Sequence, residues 1–492
     1  MKSYNITFPF LTTFLTMFII AILAALPSMA GAGGGDEACE ALRAEVDARI
    51  RRARVGDPRY LHLDGAPWLR TTRFLHAELA AAVAAGASRS AERILVRMAE
   101  LDARALEREL PRLSGPPPSS QRLQECRAAW LRGAGPTALA AVARAPLGDA
   151  YSSTHRHLGL YPLVRPLIGA GARSWQARER RAIADWPGPD ASALRFLPAV
   201  DAPADAPADA PADALKEATQ IARLLAELRA RHPLAWPVPD SATAARLAAH
   251  FAPTLLAPSM RAQDQIGRLL GHGGRPVVDP DRPTAYWDLH LTRWGTHVLL
   301  QISYSFFFTE RPKPWPLDPY GGAVDGLVWR VTLADDGRPL LWDSIHPCGC
   351  YHTLALPPDR ALQLRPLDPA VEERPLLLDA PPATASVTLS YASGSHYLRR
   401  VEAADRLADA RGPERRYRLV PYAALLTPGP DRPPFRADGI LAGSERLERL
   451  FLWPSGIRSP GAMRSNGRHA IAFVGRRQFE AARLLDGLVT RV

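Results

Sequence analysis

The chain has two halves that differ in how apolar residues are spaced. In the first half, apolar side chains recur every three or four positions, as Leu42, Val46 and Ile50 do, which is typical of helices that bury one face. This pattern predicts helices over 40–55, 71–85, 88–110, 120–132, 215–231 and 241–251. Residues 151–163 are less regular, and we expect a solvated turn there.

The second half is rich in β-branched and aromatic residues, which favour strands. Its pattern predicts strands over 298–308, 327–333, 339–346, 385–391 and 469–474. Asp335-Asp336-Gly337 is a hairpin turn between the second and third of these strands. We therefore expect an α+β protein in which an N-terminal helical domain precedes an antiparallel β-rich, sandwich-like domain.

Composition sets the domain boundaries. We expect a helical domain over 36–200, a low-complexity Asp-Ala-Pro linker over 201–214, a helical connection over 215–244 and the β-rich domain over 245–492. Proline at every fourth position prevents a regular helix in the repeat, and its small side chains cannot form a core. The repeat is therefore predicted to be a semi-extended linker or a surface insertion.

Residues 1–32 have the pattern of a secretory signal peptide. Lys2 supplies a positive charge, an apolar stretch covers 8–26, and small residues follow in the spacing that signal peptidase recognises. We expect cleavage, which leaves a periplasmic or secreted protein with no transmembrane segment. An uncleaved N-terminal anchor is the alternative, because the apolar stretch is long enough to cross a bilayer.

Arginine carries nearly all of the positive charge. The formal net charge is +11, and Lys2, Lys216 and Lys313 are the only lysines. A GC-rich genome produces this bias, and attraction to anionic envelope lipids or polysaccharide is the functional alternative. Nothing resembles a nucleic-acid-binding module, so we expect no nucleic-acid partner.

The four cysteines fall into two groups. Disulfides form readily outside the cytoplasm, and Cys39 and Cys126 both lie in the helical half, so we predict that they pair. Cys348 and Cys350 form a Cys-Gly-Cys sequence. For this pair a redox-active or structural disulfide is favoured over metal-bound thiolates.

The densest group of reactive side chains is His346, Cys348, Cys350 and His352. Alternation would place all four on one face of a strand. Imidazoles and thiols are zinc ligands, yet a rigid strand spreads positions i and i+6 by about 20 Å at ~3.3 Å per residue. One ion could therefore take only two or three of them, and only if Gly349 let the chain turn.

Other polar clusters occur at 287–290, 318–326, 393–396 and 465–469. The pair Ser395-His396 has no nucleophile-elbow sequence around it, which argues against a serine hydrolase. Taken singly, each cluster is more often a turn than a site.

Several segments carry a resemblance to known families. The segments 300–308, 320–330 and 343–352 resemble a family of exported bacterial proteins, and this resemblance implies no activity. Phe251-Ala-Pro, the aromatic strand, the acidic loop before Trp329 and the segment ending at His396 also follow in the order seen in another group. The C-terminal half thus distantly resembles the β-sandwich group of vacuolar-sorting-sixty-two-like and necrosis-inducing proteins.

That second resemblance implies a sandwich fold. Necrosis-inducing members hold a divalent ion with an acidic and histidine cluster that includes an Asp-Trp-Glu sequence. Here Arg330 follows Trp329 where the Glu would stand, so the acidic pair of those proteins is broken.

Two functions remain open. The favoured one is a non-enzymatic envelope binding module for a glycan, lipid or protein partner, in which exposed side chains do the recognition. The candidates are Trp453, Arg458, Arg464 and Arg468. The alternative is a metal-assisted hydrolase whose divalent ion, for example zinc, activates water. Its ligands, partly exposed at one rim of the sandwich, would be Asp325, His346, His352 and His396.

Overall fold

The computed structural model describes residues 37–188, 193–199, 217–384, 386–404, 412–427, 429 and 431–492. The predicted signal peptide, residues 1–32, and the Asp-Ala-Pro linker, residues 201–214, lie outside these described residues. Within the described part of the chain, no helix is long and apolar enough to cross a membrane.

Helices make up most of the chain before the sheet. They are α1 (Glu37–Ala53), α2 (Arg73–Ala84), α3 (Ser88–Glu109), α4 (Ser120–Gly133), α5 (Pro136–Arg144), α6 (Ser153–Leu158), α7 (Tyr161–Ala184), α8 (Ala218–Arg231) and α9 (Ser241–His250). Two short helices, α10 (Arg449–Leu452) and α11 (Leu484–Leu488), lie near the C-terminus. The six helices predicted from apolar spacing are all present.

Three helices, α5 to α7, are not predicted by the spacing of apolar residues. The turn predicted at 151–163 is wrong, because α6 and the start of α7 occupy it. Proline near the helix start and at position 166, with Gly169 and Gly171 further along, hides α7 from a propensity argument. Proline is tolerated in the first turn, where its missing N–H would have no partner in any case.

A disulfide ties the helical region together. Cys39 of α1 is bonded to Cys126 of α4, as predicted. The bond spans 87 residues of sequence, which is worth about 4.5 kcal/mol in the chain-entropy model. Around it, apolar side chains from α1 to α5 form a core that includes Val46, Phe74 and Met98.

A group of buried charges crosses the same core. Arg43 donates from both terminal nitrogens to Asp102, at 2.8 and 2.9 Å. Arg70 does the same to Glu109, at 2.6 Å for each bond, and Arg127 donates to Asp102 at 3.0 Å. Burial would raise the pKa of Asp102, but the guanidiniums of Arg43, Arg70 and Arg127 together outweigh burial and lower that pKa. The Asp102 carboxylate therefore stays ionised and holds α1, α3 and α4 together.

Most strands belong to one 13-stranded sheet. They are β3 (Leu194–Pro198), β4 (Thr254–Ala257), β5 (Ile266–His272), β6 (Arg275–Asp279), β7 (Thr284–Trp294), β8 (His297–Arg311), β9 (Gly322–Leu333), β10 (Pro339–Ile345), β11 (Thr353–Ala355), β13 (Leu376–Leu378), β14 (Val387–Tyr391), β15 (Leu398–Ala403) and β16 (Glu414–Pro421). Two small sheets pair β1 (Leu61–His62) with β2 (Arg70–Thr71), and β12 (Leu362–Leu364) with β17 (Val489–Arg491).

The order along the sheet is β13-β11-β10-β9-β8-β7-β16-β3-β4-β14-β15, with β5 and β6 beside β8. Most pairs are antiparallel, including the predicted hairpin of β9 and β10. Strand β16 is parallel to both β7 and β3, and so joins the two arms of the sheet. The strand β3 lies within residues 36–200, where only helices were expected. Its pairing partners are more than 50 residues away in sequence, so the local pattern does not predict it.

The two arms of the sheet pack against each other across one apolar core. Side chains of Tyr304, Trp329 and Trp342 from one arm meet those of Phe196 and Tyr391 from the other. The architecture is therefore α+β, with an N-terminal helical region and a β-rich C-terminal region.

The opposite face of β7 to β10 carries polar side chains beside apolar ones, and we call it the polar face. Its paired positions include Asp288 beside Ser303, His290 beside Gln301, and Arg330 beside Asp343. The C-terminal segment 464–482 covers this face: Arg330 donates to the Phe479 carbonyl at 2.6 Å, and Thr292 donates to the Ala482 carbonyl at 3.2 Å. Beside these polar contacts, apolar side chains of the face pack against Ile471 and Phe479 of the cover segment.

The strand predicted at 469–474 is wrong, because the cover segment does not join the sheet. Its backbone groups find side-chain partners instead. The N–H of Ala472 donates to the hydroxyl of Tyr151 at 3.2 Å, and the N–H of Phe473 donates to Glu373 at 2.8 Å. The local β-pattern is overridden by these contacts with distant parts of the chain.

Candidate functional site

Asp325 lies between two histidines in a buried cluster. His396 donates from Nδ1 to one Asp325 oxygen at 2.8 Å, and the Nδ1 of His346 lies 3.3 Å from the other. The hairpin of β9 and β10 brings His346 back beside Asp325, and the turn after β14 delivers His396. The structure therefore brings together three of the four residues expected to form a metal site.

Both nitrogens of His396 are already occupied. Its Nε2 lies 2.8 Å from the carbonyl oxygen of Gln263, and its ring stacks on Phe308 with the ring centres 3.9 Å apart. The carboxylate of Asp325 and the carbonyl of Gln263 thus engage the two ring nitrogens in hydrogen bonds. A ring nitrogen that is engaged in this way does not offer its lone pair to a metal ion.

The pKa of Asp325 reflects this arrangement. Burial would raise it, but the neighbouring His346 and His396 rings outweigh burial and hold the pKa of Asp325 well below its usual range. Burial lowers the pKa of His346, against the attraction of Asp325. Both histidines are buried, at 2 % and 0 % exposure, so the expected partly exposed rim is wrong.

His352 belongs to a different group. Its Nε2 lies 3.5 Å from Asp343, which is also ion-paired with the buried Arg330. The guanidinium of Arg330 thus neutralises Asp343. Among the described residues, no three His, Cys, Asp or Glu side chains are placed to hold one metal ion, so the expected zinc site is not found there.

Cys348 and Cys350 are free thiols in the structure, which differs from the favoured disulfide. They lie in a tight turn closed by the N–H of Gly349 on the His346 carbonyl, at 2.7 Å, and the N–H of His346 on the Cys350 carbonyl, at 3.0 Å. Gly349 has a φ of 91°, and a Cβ atom there would lie 2.0 Å from the Ala470 carbonyl oxygen. Only glycine fits where this turn meets the cover segment.

Two of the four predicted recognition residues are not exposed. Arg464 donates to the carbonyls of Arg458 and Ser459, and Arg468 donates to the carbonyls of Pro58 and Tyr60 at 2.7 and 3.0 Å. These bonds use the guanidiniums to hold the cover segment and the helical region in place. The expected exposure of Arg464 is therefore wrong, whereas Arg468 is half-buried and its role in recognition stays a prediction.

The other two predicted recognition residues remain accessible. Trp453 is half-buried, with its ring edge-on to His155 at 6.0 Å between centres, and Arg458 is exposed. Both lie next to the α6–α7 junction, since the backbone N–H of Arg458 donates to Ala150 and that of Ser152 donates to Gly456.

A cleft of about 280 Å³ lies between the helical region and the polar face of the sheet. Its helical side includes Arg59, Tyr60, Phe74, Arg104 and Trp236, and its sheet side includes Asp288, His290, Gln301, Asn466 and Glu480. We call this space the cleft. Volumes of roughly 300–1,000 Å³ are usual for small-molecule sites. The cleft lies just below this range, so only a small ligand fits it.

The sheet side of the cleft is an ordered polar surface. His290 Nε2 lies 3.0 Å from the Ser303 hydroxyl, and Gln301 donates to Thr332 at 2.9 Å. Asn466 donates to Asp288 at 3.5 Å. Burial lowers the pKa of His290 and outweighs the attraction of the nearby carboxylates, so this ring is neutral at pH 7.

Glu480 is held ionised at the end of the cleft. Burial would raise its pKa, but His469, with its Nδ1 2.5 Å from Oε1, outweighs burial and lowers the pKa of Glu480 to about 2. The charged groups on the walls of the cleft are Arg59, Arg73, Arg97, Arg104, Asp288 and Glu480. Arg59 is paired with Asp57 and Arg97 with Glu100, so Arg73 and Arg104 carry the positive charge that favours an anionic ligand.

The sequence contains both polar parts of the cleft, but it does not predict that they lie together. Taken singly, the clusters 287–290 and 465–469 are each more often a turn than a site. They converge because β7 carries Asp288 and His290 on the polar face, while the cover segment places Asn466 above them. The sequence does carry one indication of the cleft. Polar residues stand at every second position of two otherwise apolar strands, and this spacing places them on one face of the sheet.

Comparison with protein-family models, with curated proteins and with solved structures gives no match for this chain.

Stability is expected to fall as the pH drops from 7.5 to 5.5. Burial lowers the pKa of His346 and His352 below the ordinary value of 6.5. The unfolded chain then binds protons that the folded chain does not, so stability is present above pH 6.5 and is lost below it, by up to about 1.4 kcal/mol per pH unit for each ring. Denaturant titrations at the two pH values measure the change.

A His352→Gln variant tests this dependence of stability on pH. It removes one of the rings whose pKa burial lowers, a group that also includes His62, His76, His232 and His290, and should reduce the pH dependence. Stability that is independent of pH over this range would contradict the buried, neutral state of these histidines.

Proposed function

We propose that this chain is an exported, non-enzymatic binding protein that holds a small acidic saccharide in the cleft. The observation that supports the proposal most directly is the pairing of an ordered polar surface, Asp288, His290 and Asn466, with an aromatic and guanidinium-rich wall. Export is inferred from the signal-like residues 1–32 and fits the disulfide of Cys39 and Cys126.

A saccharide matches both walls of the cleft. Its hydroxyl groups both donate and accept hydrogen bonds, so the carboxylate of Asp288 and the amide of Asn466 can bind them directly. Its C–H faces are apolar and can pack on the rings of Tyr60 and Trp236. Sites of this kind combine apolar walls with a few fixed polar groups.

The acidic character follows from the balance of charge. Arg97 and Arg104 lie on α3 on the helical side of the cleft. A carboxylate or phosphate on the ligand would form charge-assisted hydrogen bonds with guanidiniums that face it. A neutral sugar would form hydrogen bonds only with the polar groups on the sheet side of the cleft.

A binding role fits better than the metal-assisted hydrolase. The Asp325 cluster is closed by its own hydrogen bonds, and His352 is paired elsewhere. The proposed periplasmic or secreted location and the distant sandwich-family resemblance are compatible with a binding role, and we retain both as proposals.

Asp288→Ala is expected to weaken ligand binding by about 10- to 100-fold. Hydrogen bonds to a charged group contribute about 1.5–3 kcal/mol, which corresponds to that range. The measurement begins with thermal shifts against neutral and uronic mono- and disaccharides. Titration calorimetry of the best sugar with both proteins follows.

Asp281→Ala is the matched control, since Asp281 is an exposed aspartate in the turn before β7. It should bind the sugar as the wild type does. If no saccharide raises the melting temperature, or if Asp288→Ala binds with unchanged affinity, the proposal is wrong.

A further inference from the structure

Exposed leucines are concentrated at the junction of α6 and α7. Leu158, Leu160, Leu163 and Leu167 are 72, 59, 72 and 74 % exposed. Isolated exposed leucines are common on protein surfaces, but four within ten residues form a local apolar patch.

The patch continues onto a second segment. Gly159 is in van der Waals contact with Pro454, where any Cβ atom would lie 2.6 Å from the proline Cβ. Arg156 also donates to the Ser455 carbonyl at 2.7 Å. This packing places the helix α10 beside the leucines, and α10 carries two more exposed apolar side chains, Leu450 and Phe451.

Two of the leucines lie on one face of α7. Leu163 and Leu167 are four residues apart in the helix, and Leu160 is the cap residue just before it. Further along the same face come Arg178 and Arg181, both exposed. One surface of α7 therefore runs from apolar at its N-terminal end to basic at its C-terminal end.

The charged residues of α7 are nearly all basic. Its basic residues are Arg165, Arg173, Arg178, Arg180 and Arg181. Its single acidic residue, Glu179, is paired with Arg399 of β15. Arg178 and Arg181 bring positive charge to the leucine-bearing face, whereas Arg165 is half-buried and Arg173 and Arg180 lie on the flank of the helix.

We propose that this surface, formed by α6, the exposed face of α7 and α10, docks the protein onto a membrane that contains anionic lipids. The leucines and Phe451 enter the interface between headgroups and acyl chains, and the arginines contact lipid phosphates. A basic, leucine-bearing amphipathic helix lies in the plane of a membrane for these reasons.

The neighbouring side chains fit this orientation. Half-buried Trp453 lies at the edge of the surface, at the level where tryptophan favours the headgroup region. Arg458 is exposed beside it and adds to the positive charge. Two residues predicted from sequence to recognise a partner thus lie beside the docking surface, in a place independent of the cleft.

The test is co-sedimentation of the exported form of the protein with vesicles. Vesicles of phosphatidylglycerol with phosphatidylcholine are compared with vesicles of phosphatidylcholine alone, at low and high salt. We expect binding only to the anionic vesicles and weaker binding at high salt. The double variant Leu163→Glu with Leu167→Glu should bind at least 10-fold more weakly, because it places two carboxylates against anionic lipid.

Val96→Glu with Val277→Glu is the matched control, since both valines are exposed outside the docking surface. This double variant adds the same two charges and should bind vesicles as the wild type does. Equal loss in both double variants, or binding that does not depend on anionic lipid, would overturn the proposal. So would a dimer of the wild type that the Leu163 and Leu167 changes dissociate, because a second copy would then cover the surface.

Discussion

Replacing Asp325 by Asn is expected to lower the free energy of unfolding by about 3–5 kcal/mol. The substitution removes the negative charge between two buried histidines and leaves a single acceptor oxygen where His346 and His396 each face one, at 3.3 and 2.8 Å. Breaking a buried ion pair by removing one partner costs this much because the remaining charge stays out of water. Denaturant titration of the purified protein measures the loss.

Asp335→Asn is the control for that experiment. Asp335 also contacts a histidine and an arginine, His297 and Arg229, but on the exposed hairpin turn. Exposed pairs contribute about 0–1 kcal/mol, so little change is expected. A loss of less than about 1 kcal/mol in Asp325→Asn, or stoichiometric zinc in the wild type that the variant lacks, would show that the cluster is not a closed ion pair.

Asp102→Asn should destabilise the helical region by a similar amount, about 3–5 kcal/mol. Asp102 accepts from Arg43 and Arg127 and lies 3.3 Å from Arg70 Nε, and Arg43 and Arg70 are fully buried. Without this carboxylate, Glu109 is left to balance the guanidiniums at the centre of the core. Circular dichroism at 222 nm during thermal unfolding follows the helices directly.

Asp47→Asn provides the comparison, because Asp47 contacts the same Arg43 at 3.1 Å from the partly exposed side. Its loss should cost less than about 1 kcal/mol, since water can replace it. Equal effects of the two substitutions would mean that burial does not control the strength of these pairs.

Regular amphipathic segments and short-range turns were predictable from the sequence. Helices such as Ser88–Glu109 have apolar positions at helical spacing, and the Asp335-Asp336-Gly337 hairpin carries its own turn chemistry. Strand β3 and the irregular cover segment were not predictable, because their partners are distant residues. Local sequence gives no sign of which distant strand or side chain will satisfy a backbone group.

The candidate sites were likewise predictable only where short-range structure fixes their residues. The proximity of Asp325, His346 and His396 was predictable because the hairpin fixes two of these residues. The second hydrogen bond of His396 was not, since its partner, the carbonyl of Gln263, comes from a separate turn. The cleft was missed for the same reason, as it forms only when the helical region, β7 and the cover segment meet.

Strand β16 also determines the order in which the protein can fold. It lies between β7 and β3, so the two arms of the sheet cannot join until residues 414–421 are in place. The hairpins of β7, β8, β9 and β10 involve short loops and can form early, whereas closing the sheet links positions about 220 residues apart, as between Arg195 and Glu414. Non-local pairing of this kind slows folding. We therefore expect a late, slow phase in refolding, during which the apolar faces of both arms are exposed and a chaperone would bind.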